Sequence, residues 1–574
     1  MLSASPPSIE AANGEIRTMI TIPNRLRALG YPQRPARLSR WGILTRLACP
    51  RASIALTLAL VSSTAQAAGP TAAQIDRLAT RVLKEFSVPG LAVGIIKDGR
   101  VVLAKGYGVR EQGGTSTVDA NTLFAIGSNT KAFTTAALAI LVDEGKIHWD
   151  DRVIDYLPDF RMWDPYVTRE FRIRDLLTHR SGLGTGAGDL MFVTPTDFTR
   201  NDLLHALRYL KPVSSFRTQY AYDNLLYVIA GQIIPVVAGQ SWEDFVTARI
   251  LKPLHMDDCA VEESRLADHS NMAAPHVIVD GKLTKIAPLS IPLVAPAGAI
   301  NCNVTGMLKW ANTQLGRGKS PDGVQLFSAA RSAEMWSPQT ILPTGSNDRQ
   351  ALTHTHFASY GLGWSLEDID GYERVSHNGG LPGMVTHVSL IPELNLGVVV
   401  LTNQQQGAAL EAVSMQIVEG YAKAPLRDWV AAAKANLAKR EQRMKEADAA
   451  SVAAVSSAAT IGGTSTTGGV QTSSLGAYVG TFKDPWRGEA TIDLRGHSLN
   501  LTFSHTNALS GPMVPVGLNL FVVHWADRSL NADAYVRFST DYAGKVSGFT
   551  MQAVSASTDF SFDFQDLDFS KVAQ

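Results

Sequence analysis

The chain is expected to be α+β: one antiparallel sheet flanked by helices, a helical subdomain inserted into it, and a small all-β, barrel-like domain at the C-terminal end. Three observations predict this. Two hairpin patterns lie far apart, at 91–109 and 385–403, and the segments between them read as helices and loops rather than as alternating β-α-β units. A Ser/Thr/Gly/Ala-rich stretch at 450–474 then breaks the pattern. Beyond it, 475–574 is a succession of short apolar strands separated by turn residues, the pattern of a small sandwich or barrel.

The first element is a targeting segment. Residues 1–67 hold eight of the 52 basic residues but only two of the 52 acidic ones. This basic head precedes "ASIALTLALV" (52–61) and an Ala-x-Ala site at Ala65–Ala67. The pattern predicts a signal peptide over 1–67, cleaved after Ala67, and a periplasmic or secreted protein. Its n-region is long, and Met19 offers a second start. An apolar run of about ten residues is too short to span a bilayer, so no membrane span is expected in the mature form. The body left behind carries a net charge near −6, which excludes the electrostatic footprint of a nucleic-acid-binding protein.

The main domain is expected over 68–425. It opens with an amphipathic helical pattern from Ala72 to about Phe86, followed by "LAVGIIKDGRVVLAKGYGV" (91–109), two apolar runs about an Asp98-Gly99 turn. Helical patterns follow at 128–144, 200–209 and 224–238, the first closing on Gly145. The second hairpin joins "VTHVSLI" (385–391) to "LGVVVLTN" (396–403) through Pro392–Asn395. The charged, Ala-rich run 425–449 reads as a helix and, with the linker, fills 426–474. In the C-terminal domain, 475–574, strands are expected at "ATIDL", "SLNLTFS", "LFVVHW", "AYVRFST", "GFTMQAV" and "FSFDF". Cys49 leaves with the signal peptide; Cys259 and Cys302 remain, either as one disulfide or as two buried thiols. His-Glu-x-x-His is absent and "HTH" (354–356) has no partner at ligand spacing, so no metal and no cofactor is expected.

Three short motifs carry chemistry. In "IGSNTKAFTTAAL" (126–138), Ser128 and Lys131 are one helical turn apart at the start of an apolar helix. Residues i and i+3 share a face, and a desolvated lysine can take a serine proton. "YAYDNLLYVIAG" (220–231) places Tyr222 two residues before Asn224. The hydroxyl can relay a proton and the amide can anchor a substrate carbonyl; singly, the two also fit a core aromatic and a helix cap. "SHNGGLPGM" (376–384) sets His377 beside Gly379 and Gly380 just before a strand. A titratable ring next to a closely approachable backbone suits a substrate, although a plain glycine turn reads the same way.

Taken in order, Ser-x-x-Lys, Tyr-x-Asn and His-x-Gly resemble the serine β-lactamase and penicillin-binding superfamily, and most closely its class C-like esterases and peptidases. "DLLTHRSGL" (175–183) and "ILKPLHM" (250–256) are similar to phrases of that family, and the resemblance covers roughly 72–425. The tail resembles the β-rich domain often attached to such hydrolases. The resemblance implies a β-lactamase/transpeptidase-like fold. It implies Ser128 as acylated nucleophile, Lys131 as general base, Tyr222 as proton relay and Asn224 as substrate anchor. It also places Gly379 and Gly380 against the substrate, with the N–H groups of Gly380 and Ser128 as an oxyanion hole. His377 and Asn378 depart from the Lys-Thr common in true class C β-lactamases, which shifts the expected substrate from penicillins toward peptides or esters. No Glu-x-x-Asn follows Tyr222, so deacylation is expected to use Tyr222, Lys131 or His377. Asp223 and His179 are expected to be structural. The implied partner is a small-molecule or peptide substrate, a linear-microcystin-type peptide being one reading. The alternatives are a β-lactamase or D-Ala-D-Ala carboxypeptidase, and a non-catalytic cell-wall-binding protein.

Overall fold

The computed structural model describes residues 69–344, 348–422, 426–461 and 472–573. The signal peptide expected over 1–67 and part of the predicted linker lie outside the described residues. Helix α1 (Ala72–Glu85) begins at a Thr71–Gln74 capping box, in which each residue satisfies a backbone N–H of the other. It leads into β1 (Gly90–Lys97) and β2 (Arg100–Gly108), turned at Asp98 and Gly99, both with positive φ. Helix α2 (Thr130–Asp143) follows a single 3-10 turn, Gly127–Asn129, and ends just before Gly145 at φ +67°. Every residue of α2 from Thr130 to Val142 is buried, so it is a central helix covered on all sides. Helices α3 (Leu225–Ala238) and α4 (Val304–Leu315) belong to the layer around it.

The sheet is completed by β3 (Thr340–Leu342), β4 (Ala358–Tyr360), β5 (Ser365–Ile369), β6 (Tyr372–Leu381), β7 (Met384–Ile391) and β8 (Leu396–Thr402). Its order is β2-β1-β8-β7-β6-β5-β4-β3, antiparallel throughout. The first and last hairpins therefore meet in one sheet, with Val93 opposite Val400. Alternation assigns its two faces. Leu91, Val93, Val398 and Val400 pack under α1, α5 (Gly407–Tyr421) and the start of α6 (Trp429–Ile461). Ala92, Val399 and Leu401 face the core that contains α2 and α4. Among the described residues no single helix is long and apolar enough to cross a membrane.

Two stretches before the barrel differ from the sequence reading. "SHNGG" is part of strand β6 itself, with His377 opposite Val388, rather than an approach to a strand. Helix α6 continues to Ile461, past the point where composition suggested a linker. Cys259 and Cys302 are joined as a disulfide, which settles the alternative left open by their spacing.

The C-terminal strands are β9 (Gly480–Asp484), β10 (Gly488–Arg495), β11 (Ser498–Phe503), β12 (Ser510–Gly517), β13 (Leu520–Val523), β14 (Ala534–Thr540), β15 (Val546–Ala553) and β16 (Asp568–Lys571). They form a closed barrel, sealed where β9 meets β16 at Phe482 and Lys571. Closure removes the exposed sheet edges, and Phe482, Phe503, Phe521, Phe538, Phe549 and Phe569 fill the interior. The predicted strand "FSFDF" is not a strand: residues 559–567 form a loop with one 3-10 turn, Phe564–Asp566.

Candidate active site

The turn Gly127–Asn129 presents Ser128 at the entrance to α2. Gly127 has φ +53°, and a Cβ there would lie 2.6 Å from the Gly380 nitrogen, so the turn and β6 meet backbone to backbone. Gly379 is still tighter, since a side chain would strike the Ile126 carbonyl and the Thr386 hydroxyl. The same hydroxyl donates to the Ile126 carbonyl at 2.7 Å and ties β7 to the turn. The double glycine thus lets the strand pass directly beside the turn that carries Ser128, with Gly380 left open.

Lys131 is fully buried and its Nζ has three oxygen partners: Ser128 Oγ at 2.9 Å, Asn224 Oδ1 at 2.7 Å and the Ala297 carbonyl at 3.0 Å. Burial lowers its pKa from 10.5 to about 7, against the opposing pull of Asp189 and Asp223. A neutral amine has two N–H groups and one lone pair. The Asn224 and Ala297 oxygens accept from both N–H groups, and the lone pair is left for the Ser128 hydroxyl to donate to. In this arrangement Lys131 can take the Ser128 proton.

Tyr222 and Asn224 come from the segment that opens α3. The Lys131 Nζ lies 4.8 Å from the centre of the Tyr222 ring and 5.3 Å from that of Tyr227. Burial pushes the Tyr222 phenol well above its ordinary value, and a hydrogen bond with Ser128 opposes the shift. Tyr222 therefore keeps its proton at neutral pH and can act as a hydrogen-bond donor to Ser128. Asn224, expected to hold substrate, has both ends of its amide engaged: Oδ1 on Lys131 and Nδ2 donating to Asp189 Oδ2 at 2.7 Å. In this structure it bridges Lys131 and Asp189.

His377 is placed differently from a cationic substrate anchor. Its Nδ1 lies 2.6 Å from the Asn378 carbonyl and its Nε2 lies 2.9 Å from the Tyr360 hydroxyl. The carbonyl can only accept, so Nδ1 carries the proton and Nε2 accepts from Tyr360. Burial, with Lys131 nearby, drives its pKa down to about 3 and the ring is neutral. Asp223 accepts from the Leu226 N–H at 3.2 Å at the start of α3, a structural role, and burial raises its pKa to about 7. His179, with φ +52°, packs tilted against Tyr222 with ring centroids 4.3 Å apart and accepts the Asp223 N–H at Nδ1, which packs the loop beneath the site.

Sequence reasoning missed four contributors. The Ala297 carbonyl and Tyr360 carry no motif. Asp189 is one acid among many in a glycine-rich loop, and only its contact with Asn224 marks it. The fourth is the barrel loop: Ser561 donates to Asp189 Oδ2 at 2.8 Å, and Asp563 accepts the N–H groups of Gly188 at 2.7 Å and Leu190 at 2.8 Å.

A lysine-paired serine at the head of a buried helix, beside the strand of an antiparallel sheet, defines the β-lactamase/transpeptidase-like class, whose members are serine hydrolases. The chain belongs to the β-lactamase family, whose model matches residues 75–420. A domain of unknown function, DUF3471, matches residues 464–571. The unguisins hydrolase of Aspergillus campestris is 30% identical over 362 residues, which is 60% of this chain and 64% of that protein. That of Aspergillus violaceofuscus is 28% identical over 58% of this chain, and the match spans 61% of its length. This chain thus covers less than two thirds of either fungal relative. Penicillin-binding protein 4 of Amycolatopsis lactamdurans is 31% identical over 56% of this chain and 82% of its own. In fold, the octameric penicillin-binding protein homologue from Pyrococcus abyssi covers 87% of this chain and 99% of that one, with a TM-score of 0.54 and 19% identity.

Proposed function

We propose that the protein is an exported serine hydrolase that cleaves a peptide or ester through an acyl-enzyme on Ser128. The observation that carries this reading is the buried Lys131 amine, held 2.9 Å from Ser128 Oγ with a pKa of about 7. Ser128 Oγ attacks the substrate carbonyl and its proton passes to Lys131 Nζ. The resulting oxyanion is held by the N–H groups of Ser128 and Gly380, each donor contributing about 3–4 kcal/mol to lowering the barrier. Collapse breaks the bond to the leaving group, which takes a proton delivered through Tyr222. Water then attacks the ester on Ser128 and gives its proton to Lys131 Nζ; collapse breaks the Ser128 Oγ–acyl bond and Oγ takes that proton back. The free acid leaves and Ser128 is restored.

The neutral His377, committed to Tyr360, supports peptides and esters over penicillins, because it offers no cation to grip a substrate carboxylate. A linear-microcystin-type peptide falls within that class. The Cys259–Cys302 disulfide supports export to an oxidising compartment, and mass measurement of the mature N-terminus tests cleavage after Ala67. For the chemistry, a fluorophosphonate probe followed by mass mapping is expected to modify Ser128. Retained hydrolysis by Ser128→Ala would sink the mechanism. Turnover of p-nitrophenyl acetate and short peptides, with little of nitrocefin, is expected; the reverse order would make the protein a β-lactamase.

A further inference from the structure

The loop predicted as the barrel's last strand leaves the barrel and enters the catalytic domain. Its path is pinned at both ends. Ser555 donates to Asp448 of α6 at 2.9 Å, and the Ala556 N–H donates to the same carboxylate at 2.7 Å. At the other end, Asp563 caps the Gly188 and Leu190 N–H groups, and Ser561 reaches Asp189. Between these anchors the Phe560 backbone is pressed onto Gly186, where a Cβ would meet its carbonyl oxygen at 2.4 Å. Its ring stands edge-on to Tyr222 with centroids 5.7 Å apart. Phe562 and Phe564 are buried, yet Phe560, held just as firmly, leaves 44% of its surface open. A large apolar side chain fixed in water beside a reactive centre is unfavourable until something apolar covers it.

We infer that the barrel supplies a wall of the active site, with Phe560 as a specificity residue that selects an apolar leaving group. The inference rests on the acyl-transfer reading. A leaving group that takes its proton by way of Tyr222 has to lie against that ring, and so beside Phe560. The acyl part is handled by Ser128 and Gly380 and does not depend on the loop. Because Asp563, Ser561 and Asp189 anchor the loop in advance, the wall is preorganised and substrate binding does not have to order it.

The test uses the full chain and two esters of one acid, ethyl and 2-phenylethyl, which form the same acyl-enzyme and differ only in the leaving alcohol. Wild type is expected to favour the 2-phenylethyl ester in kcat/KM by about ten- to thirtyfold. Phe560→Ala is expected to lose most of that preference while the ethyl ester stays within about twofold and the deacylation rate is unmoved. Phe560→Leu is expected to keep part of the preference, which guards against local collapse of the loop. Equal losses on both esters, an unchanged ratio, or altered deacylation, with Ser128 still acylated, would overturn the role of Phe560 alone. Absence of an acyl group on Ser128 with either ester would overturn the acyl-transfer reading and this role with it.

Discussion

The burial of Lys131 gives the most quantitative prediction. Replace it by methionine, which is similar in length and uncharged. In the native protein the amine has a pKa of about 7 in place of 10.5, a difference corresponding to about 4–5 kcal/mol of differential interaction between the two protonation states. The folded value lies below the unfolded one, so between about 7 and 10.5 the unfolded chain binds a proton that the native lysine lacks. Native stability therefore rises with pH across that window: the whole penalty is present below about 7 and none of it above 10.5. Lys131→Met does not titrate here. It leaves the Asn224 and Ala297 oxygens without a donor, at about 1–3 kcal/mol each, and this offset is common to every pH.

The diagnostic quantity is thus the change with pH of the stability difference between the two proteins. Relative to wild type, Lys131→Met is expected to lose about 4 kcal/mol between pH 6 and pH 10. Urea unfolding of both proteins at pH 6, 8 and 10 measures it, and titrations of groups that do not interact with Lys131 cancel in the difference. A difference constant across the three pH values would mean that Lys131 is an ordinary cation in the folded protein, and the reasoning for it as a base would fail.

The same deprotonation should appear in the rate: kcat/KM for an activated ester is expected to rise with pH through about 7, and a profile flat from pH 5 to 9 would contradict it. Gly127→Ala puts a methyl group 2.6 Å from the Gly380 nitrogen at φ +53°. It should slow Ser128 acylation by about a hundredfold or more while the protein still folds; near-normal labelling would refute the close approach of turn and strand. Cys302→Ser opens a 43-residue separation and should remove about 3–4 kcal/mol of stability, read as a lower urea midpoint that a reducing agent reproduces in the wild type and leaves unchanged in the variant.

What was legible in the sequence shares a physical origin. Ser128 and Lys131 could be paired because helical geometry brings i and i+3 together without help from the rest of the chain. Both hairpins were legible because their turns need positive φ, and Asp98, Gly99 and Asn395 supply it. The misreadings come from tertiary contacts overriding local preference. "SHNGG" has two glycines that weaken a strand, yet Gly379 has to be bare because Ile126 and Thr386 crowd it. Strand β12 was missed because Pro512 and Pro515 argue against one. Alternating phenylalanines made "FSFDF" look like a strand, but Phe562 and Phe564 go into the core while Ser561 and Asp563 bond the catalytic domain. No local pattern distinguishes that from a pleated face.

The last link is the orientation of one amide. Asn224 presents its oxygen to Lys131, and this is what makes the third Lys131 contact, to Ser128, the lone-pair contact of a neutral amine. An amide turned the other way would present N–H groups to the lysine and compete for that lone pair. Asp189 prevents the turn by accepting the Asn224 Nδ2 hydrogen at 2.7 Å. Asp189 is itself held by Ser561, within a loop that Asp563 clamps from the barrel. Burial raises the pKa values of both Asp189 and Asp563, and the burial of Lys131 itself outweighs the pull of Asp189 on its proton. Asp189 and Asp563 act as hydrogen-bonding groups. The order Ser561, Asp189, Asn224, Lys131, Ser128 therefore runs from the barrel to the nucleophile through hydrogen bonds alone. Each bond in it favours the tautomer or amide orientation that the next one needs.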